Sequence, residues 1–416
     1  MNGIRVEPTA DKTHGQKSTG ADSIALMRRL GLVVLGWLAL ACGAEDAAVT
    51  KAAPGVSPPE APGPYGIGVT SLEAESGGRT LPIEVWYPAK AGGDVAEYVL
   101  QAGALELARL ASPMSALRDA PLDARGGPYP VVVFSHGNGG VRIQSVYLTE
   151  WLASHGFVVA APDHVGNTFA EMLNPGLAIP AGEMARLRPE DVSKTLDALL
   201  AASDDADSLL HGVADASRVG VAGHSFGGFT TLRVVGATID SDAVLADCAQ
   251  NGGLICNGWD GGTMPASQRD PRFTVALAQA PGGAQAMFAG GRDGFADVAA
   301  RTMIQGGTLD ELTPYAEEHV KPYQSLPSPA WFLGVEGAGH FTFSDMCRLI
   351  DLVGLSVTEF EDGCGAQNLA WQEAHAVIQR VSTAFLQVEL AGQDDFASEL
   401  EPTEPLPEHV ARLDAK

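Results

Sequence analysis

The pentapeptide Gly223-His224-Ser225-Phe226-Gly227, followed by Gly228, has the G-x-S-x-G spacing that turns a serine into a nucleophile. Apolar residues 219–222 run into it and residues 229–235 continue with helical spacing, so the serine falls at a strand-to-helix turn. Glycines two before and two after Ser225 permit strand and helix to approach closely. The start of the helix favours negative charge at the Ser225 oxygen. A second Gly-rich stretch, Ser135-His136-Gly137-Asn138-Gly139-Gly140, follows a β-branched run at residues 131–134. A tetrahedral oxyanion needs preorganised N–H donors. The expected donors are the backbone amides of Asn138 and Phe226. His136 is expected to hydrogen-bond within its own loop and not to serve as a base.

A serine nucleophile needs a base, and the base needs an orienting acid. In this strand-turn-helix setting the chain order is serine, acid, histidine. Residues 303–305 form a short apolar strand that runs into Gly306-Gly307-Thr308-Leu309-Asp310-Glu311, which sets Asp310 on a loop at a strand's carboxyl end. Glu311 beside it and Asp293 are the alternative acids. The next strand, residues 330–334, leads into Glu336-Gly337-Ala338-Gly339-His340. Of ten histidines, His340 alone combines the right order with a Gly-flanked loop after a strand. His340 would take the Ser225 proton, and Asp310 would hold the imidazole tautomer and stabilise the imidazolium. This set requires no metal or organic cofactor. There is no C-x-x-C, and no His/Cys cluster with zinc spacing.

These loops need a frame. Short apolar runs at 131–134, 157–160, 219–222, 273–277, 303–305 and 330–334 alternate with helix-like segments at 144–155, 190–202 and 368–389. Such alternation predicts an α/β fold with a mostly parallel central sheet flanked by helices. Residues 67–72 and 81–86, joined across Ser76-Gly77-Gly78, predict an opening hairpin. Segments 91–127 and 237–270 break the rhythm and read as lid-like insertions over the sheet, whose role the sequence leaves open. The catalytic domain is expected over residues 64–390, with no internal repeat.

The 51 acidic against 26 basic residues leave a formal charge of −25. A surface so acidic repels phosphate backbones, which excludes nucleic acid as a partner. Arg28-Arg29 precede an apolar run, residues 30–41, that ends at Cys42. The run is short for a membrane span but suits the core of an export signal. Met27 would then be the natural start, with residues 1–26 a mis-called extension. Residues 1–42 read as the export segment, and Cys42 as the site of lipid attachment and membrane tethering, with a plain secretory signal the alternative. Residues 43–63 are rich in Ala, Pro and Gly and read as a flexible linker. Residues 391–416 read as an acidic, weakly ordered tail. With Cys42 set aside, Cys248, Cys256, Cys347 and Cys364 allow three pairings. In an oxidising compartment the local one, Cys248 with Cys256 and Cys347 with Cys364, is favoured.

The chain resembles the α/β-hydrolase branch that holds platelet-activating-factor acetylhydrolases, bacterial proteins labelled predicted dienelactone hydrolases, and bacterial polyester hydrolases. The similar stretches are Pro62-Gly63-Pro64-Tyr65, LPIEVWYP at 81–88, VFSHGNGG at 133–140, LASHGFVVAAPD at 152–163, GHSFGG at 223–228 and GAGHF at 337–341. The resemblance implies an α/β-hydrolase fold, Ser225 as nucleophile, His340 as base, and Asn138 and Phe226 as oxyanion donors. Animal acetylhydrolases set the acid directly after the strand that follows the nucleophile helix. Here that place reads Leu277-Ala278-Gln279-Ala280-Pro281, without a carboxylate, which leaves Asp310, as in the bacterial polyester hydrolases. Dienelactone hydrolases proper use cysteine, so Ser225 argues against that activity. The expected function is hydrolysis of a carboxylic ester, whether short-acyl, lipid-derived or polymeric, outside the cytoplasm. The alternatives are an amidase or peptidase with the same three residues, and a surface lipoprotein that uses the fold only for binding.

Overall fold

The computed structural model describes residues 54–102, 105–259, 264–284, 287, 291–354 and 360–416. The export segment, Cys42 and the first part of the linker lie outside them.

The chain opens with the hairpin β1 (Gly66–Ser76) and β2 (Arg79–Ala89), antiparallel along its whole length. Gly77 and Gly78 both have positive φ, the requirement of a tight two-residue hairpin turn. A separate two-stranded ladder follows, β3 (Glu97–Ala102) with β4 (Leu105–Ala111), then the two-residue β5 (Leu117–Arg118). Six strands then run parallel: β6 (Tyr129–Ser135), β7 (Val158–Pro162), β8 (Ala214–His224), β9 (Val275–Gln279), β10 (Arg301–Gly307) and β11 (Ala330–Val335). The last strand, β12 (Val410–Ala415), is antiparallel to β11. Among the described residues the main sheet has ten strands, in the order β12-β11-β10-β9-β8-β6-β7-β2-β1-β5.

The central strands are apolar without interruption because both faces of the sheet are covered. In β6, Val131 and Val133 enter one core while Val132 and Phe134 enter the other, following the two-residue repeat of a strand. The first core is closed by α3 (Ala181–Asp204), which follows the short α2 (Phe169–Leu173), and by α4 (Phe226–Val234), through Leu196, Leu199, Phe229 and Leu232. The second is closed by α1 (Val146–Ser154) and the helix Trp371–Glu389, through Leu148, Leu152, Ile378 and Phe385. From β6 the chain passes to β7 on one side and later to β8 on the other. At such a reversal a crevice opens beyond the carboxyl ends of the strands.

Three expectations need correction. Residues 391–416 are not a weakly ordered tail. A 3-10 turn, Asp394–Leu400, buries Leu400, and β12 extends the sheet with Val410 and Leu413 buried. The acidic composition hid two apolar residues that the open edge of β11 could take up. The described end of the linker is also docked. Ser154 accepts the Gly63 amide, and the Ala61 carbonyl lies 2.9 Å from the His155 ring. Segments 91–127 and 237–270 are not simple lids over the sheet. The first carries the β3–β4 ladder, whose Tyr98 hydroxyl donates to Glu150 of α1, well inside the fold. The second carries α5 (Ser241–Asn251), and the buried Arg233 at the end of α4 bonds the carbonyls of Ala237, Pro265 and Ala266.

Candidate active site

Ser225 stands between the end of β8 and the start of α4, at the β6/β8 crevice. Its backbone has φ 58° and ψ −119°, a conformation that costs an L-residue energy and persists only where the surroundings enforce it. Two glycines make the turn possible. A Cβ at Gly223 would lie 2.4 Å from the Gly227 carbonyl oxygen, and one at Gly227 would lie 1.8 Å from that of Ser135. The Ser225 amide donates to the Gln279 carbonyl of β9, which pins the turn to the sheet. The side chain itself is half-buried, open enough for a substrate to reach.

His340 follows β11 in a short 3-10 turn, His340–Phe343. Its Nε2 is 2.8 Å from Ser225 Oγ, and its Nδ1 is 2.9 Å from Asp310 Oδ2. Asp310 lies on the loop after β10 and is buried. Burial pushes the Asp310 carboxyl up, but the His340 ring, the hydrogen bond to it, the His319 ring and the Thr313 amide more than offset this. The net shift is downward. Asp310 is therefore an anion at neutral pH. Glu311 turns its backbone and not its carboxylate to this network, donating to Asp362. Asp293 lies in a separate 3-10 turn, Gly291–Phe295. The place directly after β9 holds Ala280, whose carbonyl lies 3.3 Å from the Thr313 hydroxyl of the Asp310 loop.

Several supporting residues had no signature in the sequence. The Thr313 hydroxyl lies within 3.1 Å of Asp310 Oδ2, His340 Nδ1 and His319 Nε2, at the centre of the acid–base contact. His319 is fully buried and held neutral, its pKa brought down to about 4 chiefly by burial. The carboxylate of Asp362 accepts three backbone amides at once, from His340, Glu311 and Leu312. It thereby joins the loop of the base to the loop of the acid. A disulfide between Cys347 and Cys364 closes the chain two residues beyond Asp362, and the other bond joins Cys248 to Cys256, so both pairs are local.

The Gly-rich loop after β6 lies against the serine. A Cβ on Gly137 would sit 3.3 Å from Ser225 Cβ. Among the described residues, the amides of Asn138 and Phe226 have no hydrogen-bond partner, which leaves both available to an incoming oxygen. Loop and base are linked by a chain of polar contacts. The Gly137 amide donates to Gln144 Oε1, Gln144 Nε2 donates to His224 Nδ1, and His224 Nε2–H donates to the His340 carbonyl. Burial first, and then His340, bring the His224 pKa down to about 3, so the ring is neutral and this tautomer is fixed by its neighbours. His136 also stays in its loop, with Nδ1 2.7 Å from the Gly137 carbonyl. Beneath it, Ser135, His164 and Asp191 form a second Ser–His–Asp chain, at 2.8 and 3.0 Å. All three are completely buried, so this array is closed to substrate and belongs to the support of the loop.

Comparison with known proteins points the same way. Residues 99–171 match the family "Platelet-activating factor acetylhydrolase, isoform II". Cutinase est2 of Thermobifida alba is 29% identical over 216 residues, 51% of this chain and 53% of that protein. Cutinase 1 of Thermobifida cellulosilytica is 28% identical over the same share of this chain and 61% of its own length. A platelet-activating factor acetylhydrolase of Cavia porcellus is 30% identical over 26% of this chain and 32% of its own. The chain has the α/β-hydrolase fold. It spans about half to three-fifths of the length of the cutinases it matches and a third of the acetylhydrolase. In this fold the strand-turn-helix at Ser225, the loop after β6 and the loops after β10 and β11 converge on one crevice.

Proposed function

We propose that this α/β-hydrolase cleaves carboxylic esters through an acyl-enzyme on Ser225. The observation that carries the reading is the continuous contact Ser225 Oγ to His340 Nε2 to Asp310, at 2.8 and 2.9 Å, with the serine held in a strained turn. Ser225 Oγ attacks the ester carbonyl as His340 Nε2 takes its proton. The carbonyl electrons move onto oxygen, and the amides of Asn138 and Phe226 receive that charge. The imidazolium, steadied by anionic Asp310, then gives its proton to the departing alcohol. Water enters by the same route, with His340 as base, and releases the acid.

The relatives, cutinases and a platelet-activating factor acetylhydrolase, favour an ester over an amide. Apolar side chains favour an apolar acyl or alcohol group. Leu309 and Leu312 flank Asp310 in sequence and are exposed, and the exposed Met172 lies where a Cβ of Gly139 would be. Export is part of the same reading. Two disulfides suit an oxidising compartment, and Cys42 after an apolar run suits a lipid tether. The test is a panel of p-nitrophenyl esters of rising chain length, with fluorophosphonate labelling of intact protein. Ser225→Ala should lose labelling and at least about 10⁴-fold in activity. Hydrolysis by Ser225→Ala within tenfold of the unaltered protein would sink the proposal, and labelling without ester turnover would favour an amidase.

A further inference from the structure

The guanidinium of Arg188 is completely buried, although nothing in the reaction above uses it. Arg188 lies on α3. Its two terminal nitrogens donate to three oxygens: the His136 carbonyl at 2.5 Å, the Gly137 carbonyl at 2.9 Å and Asn167 Oδ1 at 2.6 Å. Its carbon also lies 4.5 Å from the centre of the Phe226 ring. Asn167 Nδ2 in turn donates to Asn138 Oδ1 at 2.9 Å. One buried cation therefore touches both residues that precede Asn138 in the loop, reaches Asn138 through Asn167, and faces the ring of the second donor residue. Burying a charge is costly unless it is well bonded, so a surface role or simple packing does not account for an arginine here.

We infer that Arg188 is a positioning residue for the oxyanion site, holding and polarising the Gly137–Asn138 peptide so that the Asn138 amide faces Ser225. The inference rests on the ester-hydrolase reading above. In a trans peptide the C=O and the N–H point in opposite directions. With the Gly137 oxygen tied to Arg188, the Asn138 N–H is directed away from the guanidinium. His136 adds a second donor to the same oxygen. Its Nε2 lies 3.0 Å from the His164 backbone amide, which can only donate, so the proton of the neutral ring is on Nδ1, 2.7 Å from the Gly137 oxygen. Burial, and then Arg188, keep His136 neutral, its pKa well below the usual histidine range. The Gly140 amide also donates to this oxygen, at 3.1 Å, and a carbonyl that accepts three hydrogen bonds, one from a cation, makes the N–H of the same peptide a stronger donor. Rotation of that peptide would break all three bonds. The amide is thus fixed before any oxyanion forms, which is what preorganised stabilisation requires.

The test compares two ketones of the same chain length. A trifluoromethyl ketone accepts Ser225 Oγ at its carbonyl carbon, with the hydroxyl proton passing to His340 and the charge settling on oxygen. The matching methyl ketone binds without forming that oxyanion. Arg188→Lys keeps a charge but cannot span three acceptors. It should lower kcat/KM by about 10- to 100-fold, raise the inhibition constant of the trifluoromethyl ketone by the same factor, and leave that of the methyl ketone within about twofold. Equal weakening of both ketones, or no change in the trifluoromethyl ketone, overturns the inference. Should Arg188→Lys fail to fold, the decision passes to Asn167→Ala, which removes one acceptor of the guanidinium and its link to Asn138. A selective loss of at least about threefold for the trifluoromethyl ketone supports the inference, and any smaller or non-selective change overturns it. Ser225→Ala separates the two levels: activity that survives it removes the ester-hydrolase reading itself, whereas Ser225-dependent activity with an unaffected Arg188 variant removes only the role of Arg188.

Discussion

Replacing Asp362 by alanine tests whether one carboxylate keeps the acid and base loops together. It accepts the His340 amide at 2.9 Å on one oxygen, and the Glu311 and Leu312 amides at 3.0 and 2.9 Å on the other. The three do not count equally. The His340 amide is part-buried, so leaving it without a partner costs about 1–3 kcal/mol. The other two amides are exposed and recover water, which reduces their loss to roughly 0.5 kcal/mol each. The local cost is then about 2–4 kcal/mol, concentrated on the residue whose ring must meet both Ser225 and Asp310. A displacement of that ring by about 1 Å is worth on the order of 10²-fold in rate. Asp362→Ala should therefore lower kcat/KM for a p-nitrophenyl ester by about 10- to 100-fold, mainly through kcat. Asp362→Asn should recover only part of this, because one side of the amide must present N–H groups to N–H groups. The assay is steady-state kinetics beside a urea melt of each variant. Asp362→Ala with kcat/KM within twofold of the unaltered protein, at any melting midpoint, would refute the reasoning.

Four further outcomes are expected. Asp310→Asn should reduce kcat by about 10⁴-fold while Glu311→Gln changes it less than threefold, and steady-state kinetics that reversed the two would shift the acid by one residue. Removing the Cys347–Cys364 bond as the double serine variant should cost about 3 kcal/mol for a loop of this size and also reduce activity, since Asp362 lies beside it; equal urea midpoints would count against it. Asp345 is buried, with its pKa pushed up to about 6 by burial. An acid raised in the folded state binds its proton there first, so it lowers stability as pH rises from about 4 to 6. Asp345→Asn should stabilise the fold at pH 7.5 by on the order of 2–3 kcal/mol and scarcely at pH 4, read from urea melts at both. Finally, Cys42→Ser should move active enzyme from the membrane to the soluble fraction, and intact mass of the exported protein should show a modified Cys42 in the parent; an unmodified N-terminus elsewhere leaves secretion but removes the lipid anchor.

Ser225 and His340 were readable because each stands in a glycine-flanked turn after an apolar strand, a pattern visible in one dimension. Asp310 followed from chain order and from the absence of a carboxylate after residues 275–279. The supporting residues were not readable. Arg188, Asp362 and Thr313 act largely through bonds with backbone atoms or with residues brought near only by folding, and such bonds impose no spacing on the chain. Arg188 in particular sits in a helix whose other charged residues, the buried Asp191 apart, are exposed or half-buried. The sheet was legible in its apolar centre but not at its margins. Strand β8 begins at Ala214, five residues before its apolar run, because the edge-to-edge register with β6 extends through polar Asp215. Strand β12 was concealed in an acidic, proline-rich stretch, since pairing with β11 depends on an available edge and on only two buried side chains.

The contact chain from Gly137 through Gln144 and His224 to His340 bears on how this sequence can vary. The second position of G-x-S-x-G is free as a pattern, but here it carries a ring that must accept on Nδ1 and donate on Nε2. Gln144 must likewise offer an oxygen to Gly137 and a nitrogen to His224. A library that randomises His224 alone would leave Gln144 with a donor and no acceptor inside the fold, and most members would be lost to that mismatch and not to any change at the serine. Randomising positions 144 and 224 together allows compensating pairs. Drift between distant homologues should therefore alter the two residues jointly, so that they behave as one heritable unit although 80 positions separate them.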